Sequence, residues 1–191
     1  MCGRDWSSDV CSSDLIADLN PGVKLPDLAI VKVRRSDGSG TTWNFTKFLA
    51  DANANWNKQY GFGSSIEWPG SSLGAKGNDG VAGNVLQTKG AIGYVEYAYA
   101  KTNKIPASSM IGRDGKKLDP GIESFKSGWP MVATSYIVMY VNPDDKAASK
   151  TAIDFFKFAL EHDADAEALD YVPLSKAQRE DVAKALTLVK N

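Results

Sequence analysis

The chain has 191 residues, is 43% hydrophobic and carries a formal net charge of -1. This length and composition are typical of a globular protein with one sizeable core or two small lobes. No stretch of the sequence is apolar for long enough to span a membrane. The near-zero charge argues against a nucleic-acid-binding protein, which would need a basic face.

The first 14 residues differ from the rest. The string Trp6-Ser7-Ser8-Asp9-Val10 is followed by a near-repeat of itself, with no helical or strand period and no apolar core of a signal peptide. Residues 1–14 resemble the translation of a sequencing adapter, so we expect a disordered artefact and expect the natural start to be absent. A genuine polar tail is the alternative. Both cysteines, Cys2 and Cys11, lie in this segment, so cysteine predicts no disulfide or metal site in the remaining chain.

The remaining chain alternates predicted strands with predicted helices, which indicates an α/β fold with a mostly parallel sheet. The predicted strands cover 28–34, a short piece around Ile66, 91–96 and 134–141. The predicted helices cover 41–52, a piece around Trp56 and Tyr60, a segment from Asn78 or Asp79 to Lys89, 97–103, 122–126, 144–162 and 175–190.

Helical spacing places an apolar face on the predicted helices 41–52 and 144–162. The expected core residues are Phe45, Phe48 and Leu49 on the first, and Ile153, Phe156 and Leu160 on the second. The string 113–116 is typical of a hairpin turn. The last helix begins with a capping-box pattern, a serine followed three residues later by Gln178.

The string 35–41, Arg-Ser-Asp-Gly-Ser-Gly-Thr, joins a predicted strand to a predicted helix start. A helix start presents unpaired N–H groups and about half a positive charge, and small residues let an anion approach them closely. The guanidinium of Arg35 offers a planar fork of donors that matches a phosphate or carboxylate. The string therefore predicts a site for a tetrahedral oxyanion, and a simple polar turn with a Ser or Asp cap is the alternative.

Several long strings resemble one known family, the substrate-binding proteins of phosphate-specific ABC transporters. The matching strings are 19–26, 34–41, 74–80, 90–100, 129–130 and 169–173. The resemblance implies a type II periplasmic-binding-protein fold, in which phosphate lies in the cleft between two lobes. By that resemblance, residues 15–128 form most of the second lobe and residues 129–191 the C-terminal part of the first. Only 126–128 stand where the family usually carries a longer insert, which leaves the crossover between the lobes open.

The resemblance also implies the roles of single residues. Arg35, Ser39, Gly40 and Thr41 match phosphate ligands of the family: the guanidinium, both hydroxyls, and the N–H groups of Gly40 and Thr41 would donate to the anion. Asp37 matches the carboxylate that orients the arginine through an ion pair. The family's acceptor for the proton of phosphate lies outside this chain. We therefore expect half a site, with weak and poorly selective binding.

The resemblance implies a protein that binds inorganic phosphate with high affinity and delivers it to a membrane permease. We expect a monomer that is periplasmic, or a lipoprotein at the cell surface, and no enzyme activity, cofactor, metal site or nucleic-acid partner. Two alternatives are a phosphoester hydrolase that uses Ser39 and a receptor for another oxyanion. His162 is the only histidine, so the sequence offers no metal cluster and no Ser-His-Asp set.

Overall fold

A computed structural model describes residues 16–25, 28–112 and 114–190. The predicted disorder of 1–14 lies outside the described residues, as does Arg113 of the predicted hairpin turn. The chain divides into two compact units, Met1–Ala107 and Ser108–Asn191. This division falls at a different place from the boundary at 128/129 that the resemblance implies, and the lobe assignment stays a prediction.

The first unit contains a parallel sheet of three strands. Its strands are β1 (Val31–Arg35), β2 (Leu73–Ala75) and β3 (Ala91–Ile92), in the order β2-β1-β3. Val33 of β1 lies opposite Leu73, and Val31 lies opposite Ala91. The predicted parallel α/β arrangement is therefore confirmed, with β1 at its centre.

Helices connect the strands of this sheet, and four of them are bounded in the first unit. They are α1 (Gly40–Ala52), α2 (Ala54–Gln59), α3 (Gly77–Gln87) and α4 (Tyr97–Thr102). The core lies between the sheet and α3, where Val33, Ala75 and Val81 are buried. Burial of these side chains is the main favourable contribution to the fold of the unit.

The face that α1 buries differs from the prediction. The buried residues are Thr42, Thr46 and Ala50. The predicted core residues Phe45, Phe48 and Leu49 are only half-buried. The small side chains let the helix lie close to the loop that follows α2, where Thr46 Oγ1 both donates to and accepts from the backbone of Gly63. The phenyl ring of Phe45 instead belongs to an aromatic cluster beside the sheet.

Three element boundaries in the first unit also differ from the prediction. No strand forms around Ile66 within the described residues, and β2 lies further along the chain. The helix α3 starts at Gly77 without a side-chain cap of its own, so the predicted cap by Asn78 or Asp79 is wrong. The strand β3 ends after Ile92, and Gly93 then lies close against α3.

The second unit contains an antiparallel hairpin followed by four bounded helices. These elements are β4 (Met110–Ile111), β5 (Lys117–Leu118), α5 (Ile122–Ser127), α6 (Lys146–Leu160), α7 (Asp163–Ala168) and α8 (Lys176–Leu186). The predicted capping box at Ser175 and Gln178 is confirmed, and Ile153 is the buried residue of α6. No helix among the described residues has the length and the apolar character that crossing a membrane requires.

The predicted strand at 134–141 is wrong. The segment has no strand pairing in the described part of the chain, and most of its side chains lie in solvent. Val138 is 93% exposed and Tyr140 is 83% exposed. A run of β-branched and aromatic residues favours a strand only where a neighbouring strand takes up its backbone hydrogen bonds.

Candidate anion-binding site

The candidate site is built where the three parallel strands of the first unit end. Arg35 is the last residue of β1, and α1 starts five residues later. Gly77 follows the end of β2 and starts α3, and Tyr94 follows the end of β3. The carboxyl ends of parallel strands share one edge of a sheet, and helix N-termini gather there, which is where α/β proteins commonly bind anions.

Arg35 and Asp37 form a bidentate ion pair within the turn. Arg35 Nε donates to Asp37 Oδ1 at 2.8 Å, and Nη2 donates to Oδ2 at 2.5 Å. The side chain of Arg35 is 12% exposed and that of Asp37 is 31% exposed. The two parallel bonds fix the plane of the guanidinium. Nη1 of Arg35 has no hydrogen-bond partner in the described part of the chain, so it can donate to a ligand.

Asp37 also connects the turn to the start of α3. Its Oδ1 accepts a hydrogen bond from the N–H of Gly77 at 3.2 Å. The hydrogen bonds from the Arg35 side chain, followed by the one from Gly77, hold the pKa of Asp37 well below its usual range. The carboxylate in turn raises the pKa of Arg35. Asp37 therefore stays charged, and its oxygens are occupied by donors of the protein.

Ser39 is the N-cap of α1 and is buried. Its Oγ accepts from the N–H groups of Thr41 at 3.1 Å and Thr42 at 3.2 Å. The Thr41 N–H was predicted to point at the anion, and here it is used by the cap. The N–H of Gly40 has no acceptor among the described residues, and the position that a Cβ would occupy on Gly40 faces open space. The hydroxyl proton of Ser39 remains to be donated.

The backbone of the turn is held from three sides. The N–H of Ser36 donates to the carbonyl of Ala75 at 2.9 Å, and the N–H of Ser39 donates to the carbonyl of Ser64 at 2.9 Å. The N–H of Arg35 donates to Tyr94 Oη at 3.2 Å. These bonds hold the segment that carries Arg35, Asp37 and the start of α1, which we call the cradle. Its use as an anion site stays a prediction.

The sequence did not single out Tyr94 or the amide of Gly77 as parts of the cradle. Both are far along the chain from 35–41 and reach it only through the order of the strands. The strand pattern at 91–96 does not say which side chains meet at the end of the strand, and the sequence predicts no strand before Gly77.

Within the part of the chain that the structure describes, no catalytic base lies beside Ser39. Its side chain bonds only to backbone N–H groups among the described residues. A serine nucleophile needs a base within hydrogen-bond reach. Across 16–25, 28–112 and 114–190, no group of three His, Cys, Asp or Glu side chains is placed to hold a metal ion.

Comparison with known proteins places the chain in a family. A family model described as the PBP superfamily domain matches residues 4–163. The chain belongs to the PBP superfamily. The match starts inside 1–14, so the artefact origin of that segment stays a prediction. The superfamily assignment agrees with the α/β fold that the sequence predicts.

Individual relatives of this PBP superfamily chain carry a more specific name. The chain is 40% identical over 184 residues to the "Phosphate-binding protein PstS" of Xylella fastidiosa strain 9a5c, covering 83% of this chain and 50% of the relative. It is 39% identical over 186 residues to the protein of the same name from Haemophilus influenzae, covering 84% and 55%. The chain thus spans about half the length of these curated relatives.

One solved structure is also similar. It is the crystal structure of a possible phosphate binding protein from Planctomyces limnophilus, with a TM-score of 0.48 and 21% sequence identity. The likeness covers 91% of this chain and 58% of that one.

Proposed function

We propose that this chain contributes the phosphate-binding turn 35–41 of a substrate-binding protein that serves an ABC-type phosphate importer. Two independent lines support the proposal. The relatives named phosphate-binding protein PstS are about 40% identical over most of the chain. The turn itself presents an oriented guanidinium beside a helix N-terminus, which is a favourable arrangement for a tetrahedral oxyanion.

The observation that carries the proposal is the Arg35–Asp37 pair. Because Asp37 holds the edge of the guanidinium formed by Nε and Nη2, Nη1 is directed with little loss of side-chain freedom on binding. The Gly40 N–H, the Ser39 hydroxyl and the Thr41 hydroxyl are the further donors that we assign to the anion. No base accompanies Ser39 among the described residues, so binding without hydrolysis is the activity that we propose for this set of donors.

The described residues of the proposed site offer donors and no acceptor suited to the proton of phosphate. Asp37 already accepts hydrogen bonds from Arg35 and Gly77, and its lowered pKa makes it a weak acceptor for that proton. Discrimination of phosphate from sulfate needs an acceptor that sulfate would leave unpaired. We therefore propose that this chain binds both anions weakly and with similar affinity. A receptor for another oxyanion remains the alternative function.

The binding test is a calorimetric titration of the chain with inorganic phosphate and, separately, with sulfate. We expect Arg35→Ala to weaken phosphate binding by at least about tenfold, because a charge-assisted fork is lost from a largely buried position. Micromolar or tighter phosphate binding with strong rejection of sulfate would contradict the donor-only site.

The neighbouring arginine provides a matched control. Arg34 donates to Ser72 Oγ at 2.9 Å and to the carbonyl of Arg35 at 3.1 Å, so its guanidinium is used within the protein. Arg34→Ala removes the same charge and should leave phosphate affinity within about twofold, as expected for a charge with no direct contact to the ligand. Equal losses in both variants would show that net charge, and not the Arg35 fork, drives binding.

The proposed biological setting follows from the relatives' name. We place the chain outside the cytoplasmic membrane, as a periplasmic protein or a cell-surface lipoprotein, with a membrane permease as its partner. We propose that it acts as a monomer and without nucleic acid, metal or cofactor. The same proposal assigns residues 15–128 to most of the second lobe and residues 129–191 to the C-terminal part of the first.

A further inference from the structure

We propose that Tyr94 is a positioning residue of the anion turn and sets its affinity, an inference that rests on the proposed phosphate-binding function. Its hydroxyl joins the two halves of the candidate site. On one side it accepts the N–H of Arg35 at 3.2 Å. On the other it is hydrogen-bonded to Thr42 Oγ1 at 2.8 Å, in the first turn of α1.

The bond to Arg35 replaces a missing sheet contact. The strand β3 pairs with Val31 and Lys32 and ends at Ile92. The N–H of Arg35 therefore lies beyond the pairing of β1 with β3, and the Tyr94 hydroxyl accepts its hydrogen bond instead. A backbone donor in a partly buried place needs such an acceptor, because an unmade hydrogen bond there costs free energy.

The bond to Thr42 fixes the other half of the site. Thr42 is 1% exposed, so its hydroxyl has little access to water and depends on Tyr94 for a partner. Thr42 lies in the helical turn whose amides Ser39 caps. One hydroxyl thus links the residue that carries the guanidinium to the helix start that carries the other donors.

The ring of Tyr94 is itself held in place. It stacks on Phe45 with a centroid distance of 4.7 Å and on Trp68 with a centroid distance of 5.9 Å. Stacked aromatic rings limit the movement of a side chain and favour one orientation. The hydroxyl is therefore presented at a defined point, which is what a group that sets the spacing of two donors requires.

The inference predicts a loss of affinity without direct contact to the anion. Removing the hydroxyl leaves two polar groups without their partner and lets β1 and α1 shift relative to each other. Sub-ångström changes in donor positions weaken binding of a compact anion, since its hydrogen bonds depend on direction. We expect Tyr94→Phe to raise the dissociation constant for inorganic phosphate about three- to tenfold, the range for one lost hydrogen bond.

The matched control is Tyr60→Phe. Tyr60 lies in the same unit and also packs its ring against an aromatic neighbour, Trp56. Its hydroxyl has no hydrogen-bond partner in the described part of the chain. Tyr60→Phe should leave phosphate affinity unchanged, whereas a general effect of losing a tyrosine hydroxyl would appear in both variants.

The second end of the link gives an independent test. Thr42→Val removes the hydroxyl with little change of shape, and Thr42→Ser keeps it. We expect Thr42→Val to weaken phosphate binding as Tyr94→Phe does, and Thr42→Ser to restore affinity. The double variant of Tyr94→Phe and Thr42→Val should lose less than the product of the two single losses. If Tyr94→Phe does not fold, the Thr42→Val and Thr42→Ser pair decides.

A measurement without ligand separates this inference from the proposed function. The backbone amide signal of Arg35 in a 15N NMR spectrum of the full chain should move in Tyr94→Phe and stay in Tyr60→Phe. If the wild-type chain binds no phosphate, the proposed function is wrong, and this signal alone decides whether Tyr94 positions the turn. If the chain binds phosphate but Tyr94→Phe has the affinity of Tyr60→Phe, the positioning role is overturned and the proposed function stands.

Discussion

Two segments that both have the pattern of a strand have opposite fates in this protein. The β-branched strand β1 lies at the centre of a sheet, with Val33 only 2% exposed. The segment 134–141 is at least as apolar, yet it pairs with no strand in the described part of the chain and Val138 is 93% exposed. The difference is one of partners and not of intrinsic preference.

The partners of β1 come from the next sixty residues of the chain. Both β2 and β3 lie downstream and return to it through helices, so every neighbour that it needs is close in sequence. The segment 134–141 is followed by helices only in the second unit. Sheet formation depends on non-local pairing, and a strand preference without a pairing partner leaves an extended segment.

The largest expected effect contrasts the same substitution in the two segments. Val33→Asp places a charge in the core of the first unit and should lower the free energy of unfolding by about 3–5 kcal/mol, because no partner compensates the buried carboxylate. Val138→Asp should change it by less than about 0.5 kcal/mol, as for other exposed sites. Urea unfolding followed by tryptophan fluorescence and circular dichroism measures both.

A large loss of stability in Val138→Asp would contradict the contrast between the buried strand β1 and the exposed segment 134–141. It would mean that 134–141 is packed in solution, against a surface that the described residues do not show. Fast amide hydrogen exchange across 134–141, beside protection of 31–35, would instead sharpen the contrast.

A smaller loss of stability is expected from a substitution at Gly93, which follows β3 and lies close to α3. A Cβ on Gly93 would lie 2.9 Å from Val81 Cγ1 and 2.9 Å from Val85 Cγ2. Gly93→Ala should therefore lower the free energy of unfolding by about 1–3 kcal/mol through overpacking. Gly83 of α3 has open space around its Cβ position, so Gly83→Ala is a control that should be neutral or stabilising. Equal stability of the two variants would show that the sheet edge is looser than described.

The smallest effect concerns the charge pair that ends β1. The pKa of Asp37 is lowered in the folded chain from its ordinary value of 3.8, chiefly by the hydrogen bonds from Arg35. A lowered folded pKa stabilises the protein fully above the unfolded pKa, and the contribution disappears as the pH falls through the folded value. The stability advantage of wild type over Asp37→Asn should therefore be constant above about pH 5 and shrink steadily below about pH 4.

Unfolding midpoints from pH 7 to pH 2 measure that advantage. Asp154→Asn is the control, because Asp154 is an exposed carboxylate whose pKa is also lowered, by Lys150. The stability advantage of wild type over Asp154→Asn should also shrink as the pH falls, but by a smaller amount. An Asp37→Asn curve parallel to wild type down to pH 2 would mean that the pair with Arg35 does not form in solution.

Local signals predicted much of this fold correctly. The capping box at Ser175 and the helix at α1 follow from contacts between near neighbours in sequence. The parallel sheet of the first unit follows from the alternation of strand and helix patterns, which a single sequence also contains. The long-range features were missed for the same reason. The absence of pairing at 134–141 and the position of β2 depend on which segments meet in space.

The candidate site shows the same division. The family resemblance implies the ion pair of Arg35 with Asp37, which the structure shows within one turn of chain. The role of the helix start as a donor to an anion stays a prediction. The use of the Thr41 N–H by Ser39, and the links to Gly77 and Tyr94, could not be predicted. They depend on competition between hydrogen-bond partners and on the order of the strands, and the sequence 35–41 determines neither.

Every hydrogen bond described around the turn lies within residues 31–94, the stretch from the start of β1 to Tyr94. The acceptor of Ser36, the acceptor of Ser39, the Gly77 amide and the Tyr94 hydroxyl all belong to that one continuous stretch. The cradle is therefore modular: an engineer could transplant it as one cassette, with three short strands and their connecting helices, into another parallel sheet. Its geometry would travel with the insert and would not have to be rebuilt by the host.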